Sequence, residues 1–352
     1  MLAEIVVAWI CVSAFPPLPV HDDTVTLPAQ NWEFAPGPRE IAVYIHYPGG
    51  GLRNVNPSTG LMLCLHNWGG SGSDGAPNPA QVADRYDVIA IGVDYLQSGK
   101  WDPAAGLPYD FGYLQALDAL RALHYVFQSL DDAKTPFARG RIYATGGSGG
   151  GNVALMANKL APRTFACVVD ISGMARLTDD IAFGLPGGSE LNAGYSRDPN
   201  SIAYLARHAQ ELRDIGNPQH LADTARLRTH TKVVIVHGAD DAVCPAEDAV
   251  RMAKNFESAG VSVDLRVITQ DDIDGDAITG TGHALGDRTK LLFRFGDSYM
   301  RPESKHMRAI GGKTDFELRD VVRLSVTGGT YTIDYAEGYP VSRFNPSKAN
   351  GE

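Results

Sequence analysis

The 352-residue sequence predicts an α/β fold: a mostly parallel central sheet of about eight strands, helices on both faces, and a small inserted cap. Three observations carry this expectation. Strand-like and helix-like stretches alternate between residues 40 and 300. Most strand-like runs are continuous in Val, Ile and Leu, as in strands buried on both faces. The 38 glycines and 21 prolines suit many strand-to-helix loops better than a helical bundle.

The candidate strands are residues 24–28, 40–47, 61–66, 88–94, 141–145, 165–170, 232–237 and 263–269. Between them, Leu114, Leu117, Leu120, Leu123, Phe127 and Leu130 repeat at helical spacing and form an apolar stripe. A second helix starts near Gly149 and stops before Pro162. A third follows Pro245, with Ala249, Ala253 and Phe256 on one face and Gly260 at its C-terminal cap. Residues 174–231 break the rhythm with the loop-rich Phe183-Gly184-Leu185-Pro186-Gly187-Gly188, followed by a helix expected around 201–213. An insertion here reads as a cap or lid, against the plainer reading of a long connection. After Met300 the alternation ends, and 324–327 with 330–335 read as a hairpin about Gly328-Gly329. The expected division is an N-terminal arm and first strand (1–39), a main domain (40–300, with the cap at 174–231) and a C-terminal extension (301–352).

Composition narrows the function. Apolar residues make up 44% and charged residues 20%, an ordinary globular balance. Net charge is −10 with no run of Lys or Arg, which argues against nucleic acid as a partner. Cys11, Cys64, Cys167 and Cys244 contain no C-x-x-C pair, so no zinc site or redox motif is expected. The apolar run at 5–15 and Val12-Ser13-Ala14 would suit an export signal. However, Glu4 and the lack of a preceding Lys or Arg favour a cytoplasmic chain with a packed arm. The run is too short to span a membrane, and no other candidate span exists. No pattern speaks to oligomeric state.

The most informative segment is Arg141-Ile142-Tyr143-Ala144-Thr145-Gly146-Gly147-Ser148-Gly149-Gly150-Gly151-Asn152. A strand runs into G-x-S-x-G and a helix follows at once. That is the pattern of a nucleophile elbow, which lifts a serine hydroxyl clear of the sheet. The backbone N–H of Gly149, at the helix start, then faces the oxyanion of acyl transfer. A dinucleotide-binding turn is the rival, with Asp170 as its acid. It fails because Asn152 stands where a third glycine belongs, and no Lys follows for a P-loop.

In this order of motifs an acid and then a histidine should follow the serine. Val233-Val234-Ile235-Val236-His237-Gly238-Ala239-Asp240-Asp241-Ala242-Val243-Cys244-Pro245 is a buried strand ending in an acidic loop. Its H-G-x-x-D-x-x-x-P resembles the acid-bearing loop of α/β-hydrolases, in the prolyl-oligopeptidase-like and dienelactone-hydrolase-like branches. The resemblance implies an α/β-hydrolase fold with Asp241 as the acid; Asp170 is a second candidate, since some relatives place the acid there. It also implies His283, in Thr279-Gly280-Thr281-Gly282-His283-Ala284, as the base. Leu65-His66-Asn67-Trp68-Gly69-Gly70 resembles the H-G-x oxyanion loop, with the Trp68 amide as second donor and Asn67 or Gly69 as alternatives. Asn67 departs from the usual glycine. Asn67 and Trp68 are candidate substrate-binding residues, with Trp68 as plain core the competing reading.

The implied activity is a serine hydrolase that cleaves a carboxylic ester through an acyl-serine intermediate, using neither cofactor nor metal. A peptidase, amidase or polymer-degrading hydrolase with the same triad is the alternative. A non-catalytic binding protein on the same fold is a third reading. Expected partners are small-molecule, peptide or polymer acyl substrates. The acidic run Asp271-Asp272-Ile273-Asp274-Gly275-Asp276 lacks the spacing of a calcium loop and reads as a solvated, acidic rim.

Overall fold

A computed structural model describes residues 15–99, 101, 106–228 and 230–347. The run at 5–14 and Cys11 lie outside the described residues. Eight strands form the main sheet: β1 (Asp23–Ala29), β2 (Arg39–His46), β3 (Gly60–Leu65), β4 (Val88–Asp94), β5 (Ile142–Gly147), β6 (Cys167–Ile171), β7 (Lys232–Gly238) and β8 (Ser262–Ile268). Their spatial order is 1-2-4-3-5-6-7-8. β2 runs antiparallel to both β1 and β4, and the remaining pairs are parallel. The helices, in chain order, are α1 (Pro79–Tyr86), α2 (Tyr113–Asp132), α3 (Gly149–Leu160), α4 (Asp179–Phe183), α5 (Arg207–Leu212), α6 (Pro218–Asp223), α7 (Ala246–Ser258), α8 (Arg288–Met300) and α9 (Asp315–Leu318).

The continuous apolar strands serve two cores at once. Leu61, Leu63 and Leu65 of β3 join the core that also holds residues of α2, α3 and α7, while Met62 and Cys64 join the core of α1 and α8. Val233 and Ile235 of β7 divide from Val234 and Val236 in the same way. Such strands cannot slip by one residue without exchanging both faces. Among the described residues no helix is long and apolar enough to cross a membrane.

α2 is more deeply buried than its stripe implies. Gln115, Asp118, Arg121 and His124, off the leucine face, are buried as well. Their cover comes from both ends of the chain: Phe15 and Phe316 pack on the His124 ring, and Tyr339 lies under the Arg121 guanidinium. The expected hairpin forms as β9 (Val321–Val326) and β10 (Gly329–Asp334), and β11 (Val341–Pro346) completes a three-stranded antiparallel sheet. Val322, Leu324, Tyr331 and Ile333 from this sheet enter the larger core. A buried Arg163–Asp315 ion pair at 2.7 Å ties the segment to the end of α3.

Within 174–231 the structure corrects one expectation. The helix read over 201–213 is confined to α5, Arg207–Leu212. Ahead of it, Ser201 Oγ accepts from the Ala203 amide at 3.2 Å, and the Leu205 amide donates to Ser196 O at 3.0 Å. These local bonds satisfy the backbone in a non-helical form. Residues 174–231 are anchored by Arg213, which donates to Asp110 Oδ1 at 3.1 Å and Asp110 O at 2.6 Å.

Candidate active site

β5 delivers Ser148 into a sharp turn, with φ 54° and ψ −119°, and α3 starts at the next residue. A non-glycine residue there carries a strain of about 1–3 kcal/mol, held by its surroundings. Those surroundings are crowded: a Cβ on Gly146 would lie 2.3 Å from Gly150 C, and one on Gly150 would lie 2.1 Å from Leu65 O. Only glycines let the strand and helix cross this closely. The Ser148 amide donates to Ile171 O at 2.9 Å, which locks the turn to β6.

Ser148 Oγ lies 2.8 Å from His283 Nε2, and His283 Nδ1 lies 2.9 Å from Asp241 Oδ2. A carboxylate only accepts, so Nδ1 carries the proton, Nε2 accepts, and the serine hydroxyl donates. Asp241 Oδ1 accepts in addition from the amides of Val243 and Cys244, at 2.9 and 2.8 Å. Burial pushes the Asp241 carboxyl up, but hydrogen bonds from His237, His283 and the Cys244 amide outweigh it and hold the group below the usual carboxylate range. Ser148 is 8% exposed and the His283 side chain 24%, so solvent reaches the pair.

Asp170 is not part of this chain. It is fully buried, and neither of its oxygens has a hydrogen-bond partner that meets normal geometry among the described residues. Burial pushes it up to about 6, against the charges of His237 and Arg288 and the Gly173 amide. His66 is likewise structural, with Nε2 at 2.6 Å from Ser98 Oγ and its ring stacked on Tyr95.

Residues 67–69, the candidate oxyanion loop, separate by their partners. The Asn67 amide donates to Asp74 O at 2.9 Å. The Trp68 amide has no intramolecular partner among the described residues, and neither has that of Gly149. The two lie together, since a Cβ on Gly149 would sit 2.6 Å from Trp68 N. Asn67 needs no left-handed backbone, and its side chain packs into its own loop against Gly70 and Gly75. The Trp68 indole is half-buried, stacked on Tyr109 at 3.8 Å with Trp101 edge-on at 5.5 Å. It borders an apolar cluster of Tyr109, Phe111, Met174, Ile181, Tyr195 and Cys244, three of them from the segment 174–231.

Two residues to which the sequence assigns no role complete the arrangement. Buried His237 donates from Nε2 to Cys244 O at 2.6 Å and lies 3.4 Å from Asp241 Oδ2, bracing the acid loop. Arg288, at the start of α8, donates to Ile171 O at 2.8 Å and to His283 O at 3.1 Å. It therefore joins the strand end that holds Ser148 to the loop that holds His283. No sequence signal marks it beyond its position five residues after the histidine. We expect Arg288→Met to lower kcat by about 10²-fold with little change in KM, since misplacement near 1 Å costs that much. Arg288→Lys should recover part of the loss, with melting temperatures separating this from unfolding. An unchanged kcat for Arg288→Met would contradict the positioning role.

Among the described residues, Asp241, Cys244 and His283 form a group with donors for a cation, all within 4.8 Å. The Asp241–His283 hydrogen bond already engages two of them, and burial pushes the Cys244 thiol well up. The acidic run is exposed and largely self-satisfied: Asp274 pairs with Arg294, Asp276 with Lys290, and Asp272 caps Thr269. Its charge is thus partly neutralised by α8.

Known structures share this fold. The Pyrococcus horikoshii acylaminoacyl peptidase matches with a TM-score of 0.54 and 13% identity, over 81% of this chain and 43% of its own. A putative dipeptidyl aminopeptidase IV from Bacteroides ovatus matches at 0.51 and 15%, over 79% and 36%. A puromycin-hydrolyzing peptidase from Mycobacterium tuberculosis matches at 0.50 and 16%, over 78% and 38%. The chain spans less than half the length of these structures. No curated protein matches the sequence. The model of a family described as "Protein of unknown function (DUF2920)" matches residues 93–313. The chain has the α/β-hydrolase fold and belongs to the DUF2920 family.

Proposed function

We propose that the protein is a serine hydrolase that cleaves a carboxylic ester. The observation that carries this reading is the hydrogen-bonded series Ser148–His283–Asp241 on a strained elbow. Ser148 Oγ attacks the acyl carbon while His283 Nε2 takes its proton. Asp241, ionised, holds the Nδ1–H tautomer and stabilises the imidazolium. The Gly149 and Trp68 amides donate to the oxyanion. His283 then protonates the leaving alkoxide, which departs and leaves the acyl-serine. Water, deprotonated by His283, attacks this ester; the acid is released and Ser148 recovers its proton. The aromatic and apolar cluster beside Trp68 favours an apolar group next to the scissile carbonyl.

A second reading, peptide or amide cleavage, draws on the matched structures, each named as a peptidase. The same residues serve it, with His283 protonating an amine. Matched pairs separate the two: p-nitrophenyl esters from acetate to octanoate against aminoacyl-7-amido-4-methylcoumarins with phenylalanyl, prolyl and glycyl groups. We expect ester turnover to exceed amide turnover for every acyl group, with a preference for apolar ones. Faster amide cleavage would overturn the ester assignment, and no turnover of either would overturn both.

A further inference from the structure

A cavity of about 180 Å³ lies at the far end of α3, the helix that follows Ser148. Lys159, in the last turn of α3, is displaced from Ser148 by about 16 Å along the helix axis at about 1.5 Å per residue. The cavity opens among the end of α3, α6, Arg228 and the end of α7. It shares no lining residue with the candidate active site.

Its polar groups are unusually incomplete. Lys159 Nζ donates to Leu212 O and Asp214 O, both at 2.7 Å, which leaves one of its three donors. Arg228 donates from Nη2 to Ala259 O at 2.9 Å, while Nη1 has no partner among the described residues. Neither cation takes part in an ion pair among the described residues. His220, 1% exposed, donates from Nε2 to Ser325 O at 3.0 Å, so its Nδ1 is a buried acceptor with no partner among the described residues. Asn158 Oδ1 is a second such acceptor. Burial pushes the Lys159 ammonium down to about 7, with Asp214 offsetting part of the effect, and burial pushes His220 down to about 2. The remaining walls are apolar, from Leu155, Phe256 and Val261.

We propose that this cavity is a binding site for a small hydroxycarboxylate with an apolar body. Its carboxylate meets Lys159 and Arg228, its hydroxyl donates to His220 Nδ1, and its body packs on Leu155, Phe256 and Val261. The charge is specified because Lys159 keeps one unfilled donor and Arg228 Nη1 has no partner among the described residues, so that two basic side chains offer N–H groups to an anion. The hydroxyl is specified because a neutral His220 offers an acceptor where a bare carboxylate would be repelled. The size follows from the volume, since a dry cavity of about 150 Å³ is known to admit benzene. The assignment is independent of the reaction at Ser148.

The test is calorimetric titration of the full chain with 3-hydroxybenzoate, mandelate and 2-hydroxyisocaproate, with benzyl alcohol and benzylamine as uncharged and cationic controls. We expect at least one hydroxy acid to bind with unit stoichiometry, at least tenfold tighter than either control. Lys159→Met and Arg228→Gln should each weaken it by tenfold or more. Melting temperatures report whether each variant folds, and Arg228, only half-buried, is the safer of the two. Equal binding of benzylamine, no saturable binding of any acid, or binding that survives both substitutions would each overturn the assignment.

Discussion

Ser148→Ala should reduce kcat for any substrate turned over by the wild type by on the order of 10⁶-fold, leaving only what oxyanion stabilisation and binding supply. His283→Ala should cost about as much, because the two act as one unit. The Oγ–Nε2 bond of 2.8 Å is the means of moving the proton, and neither residue substitutes for the other. The double variant should therefore be no worse than either single one, a non-additivity that independent roles would not produce. Steady-state rates for the three variants, with circular dichroism as a fold check, decide the matter. Additive losses, or a Ser148→Ala enzyme within tenfold of wild type, would contradict the proposed roles.

The second large effect separates two aspartates close in space. Asp241→Asn should cost about 10⁴-fold in kcat, because an amide facing His283 Nδ1 favours the wrong tautomer. Asp170→Asn should stay within tenfold of wild type, since no hydrogen bond joins Asp170 to the histidine. Its consequence should appear in stability. Asp170 is pushed up to about 6 from 3.8, so the folded state holds the proton more tightly than the unfolded state does. The stability this confers is complete below pH 3.8 and is lost as pH rises through about 6, a cost of about 3 kcal/mol at neutral pH. Asp170→Asn should thus match wild type in melting temperature near pH 4 and exceed it near pH 7. A large loss of activity in Asp170→Asn with Asp241→Asn unaffected would reverse the assignment of the acid.

The features legible in the sequence are those that chain neighbours determine. Gly146, Gly149 and Gly150 around Ser148 announce a turn whose tight crossings the structure displays. The two-faced strands announce the sheet because their apolar runs serve both cores. What could not be read depends on distant partners. β11 carries Ser342, Arg343 and Asn345, with no apolar alternation, and forms because β10 offers it an edge. Arg288 and His237 gain their places only when β6, the acid loop and the histidine loop converge. The helix expected over 201–213 was lost to side-chain hydrogen bonds at Ser201 that helical periodicity does not register. The Trp68 amide was one of three alternatives in the sequence. It stands apart because Asp74 occupies the Asn67 amide and because Trp68 N lies beside Gly149.

The measurement that bears most directly on a serine nucleophile in this chain is intact-mass analysis after reaction with a fluorophosphonate, followed by peptide mapping. The account predicts one adduct per chain, on Ser148, absent in Ser148→Ala and strongly slowed in His283→Ala. An adduct on another residue, or none on a folded wild-type protein, would contradict it.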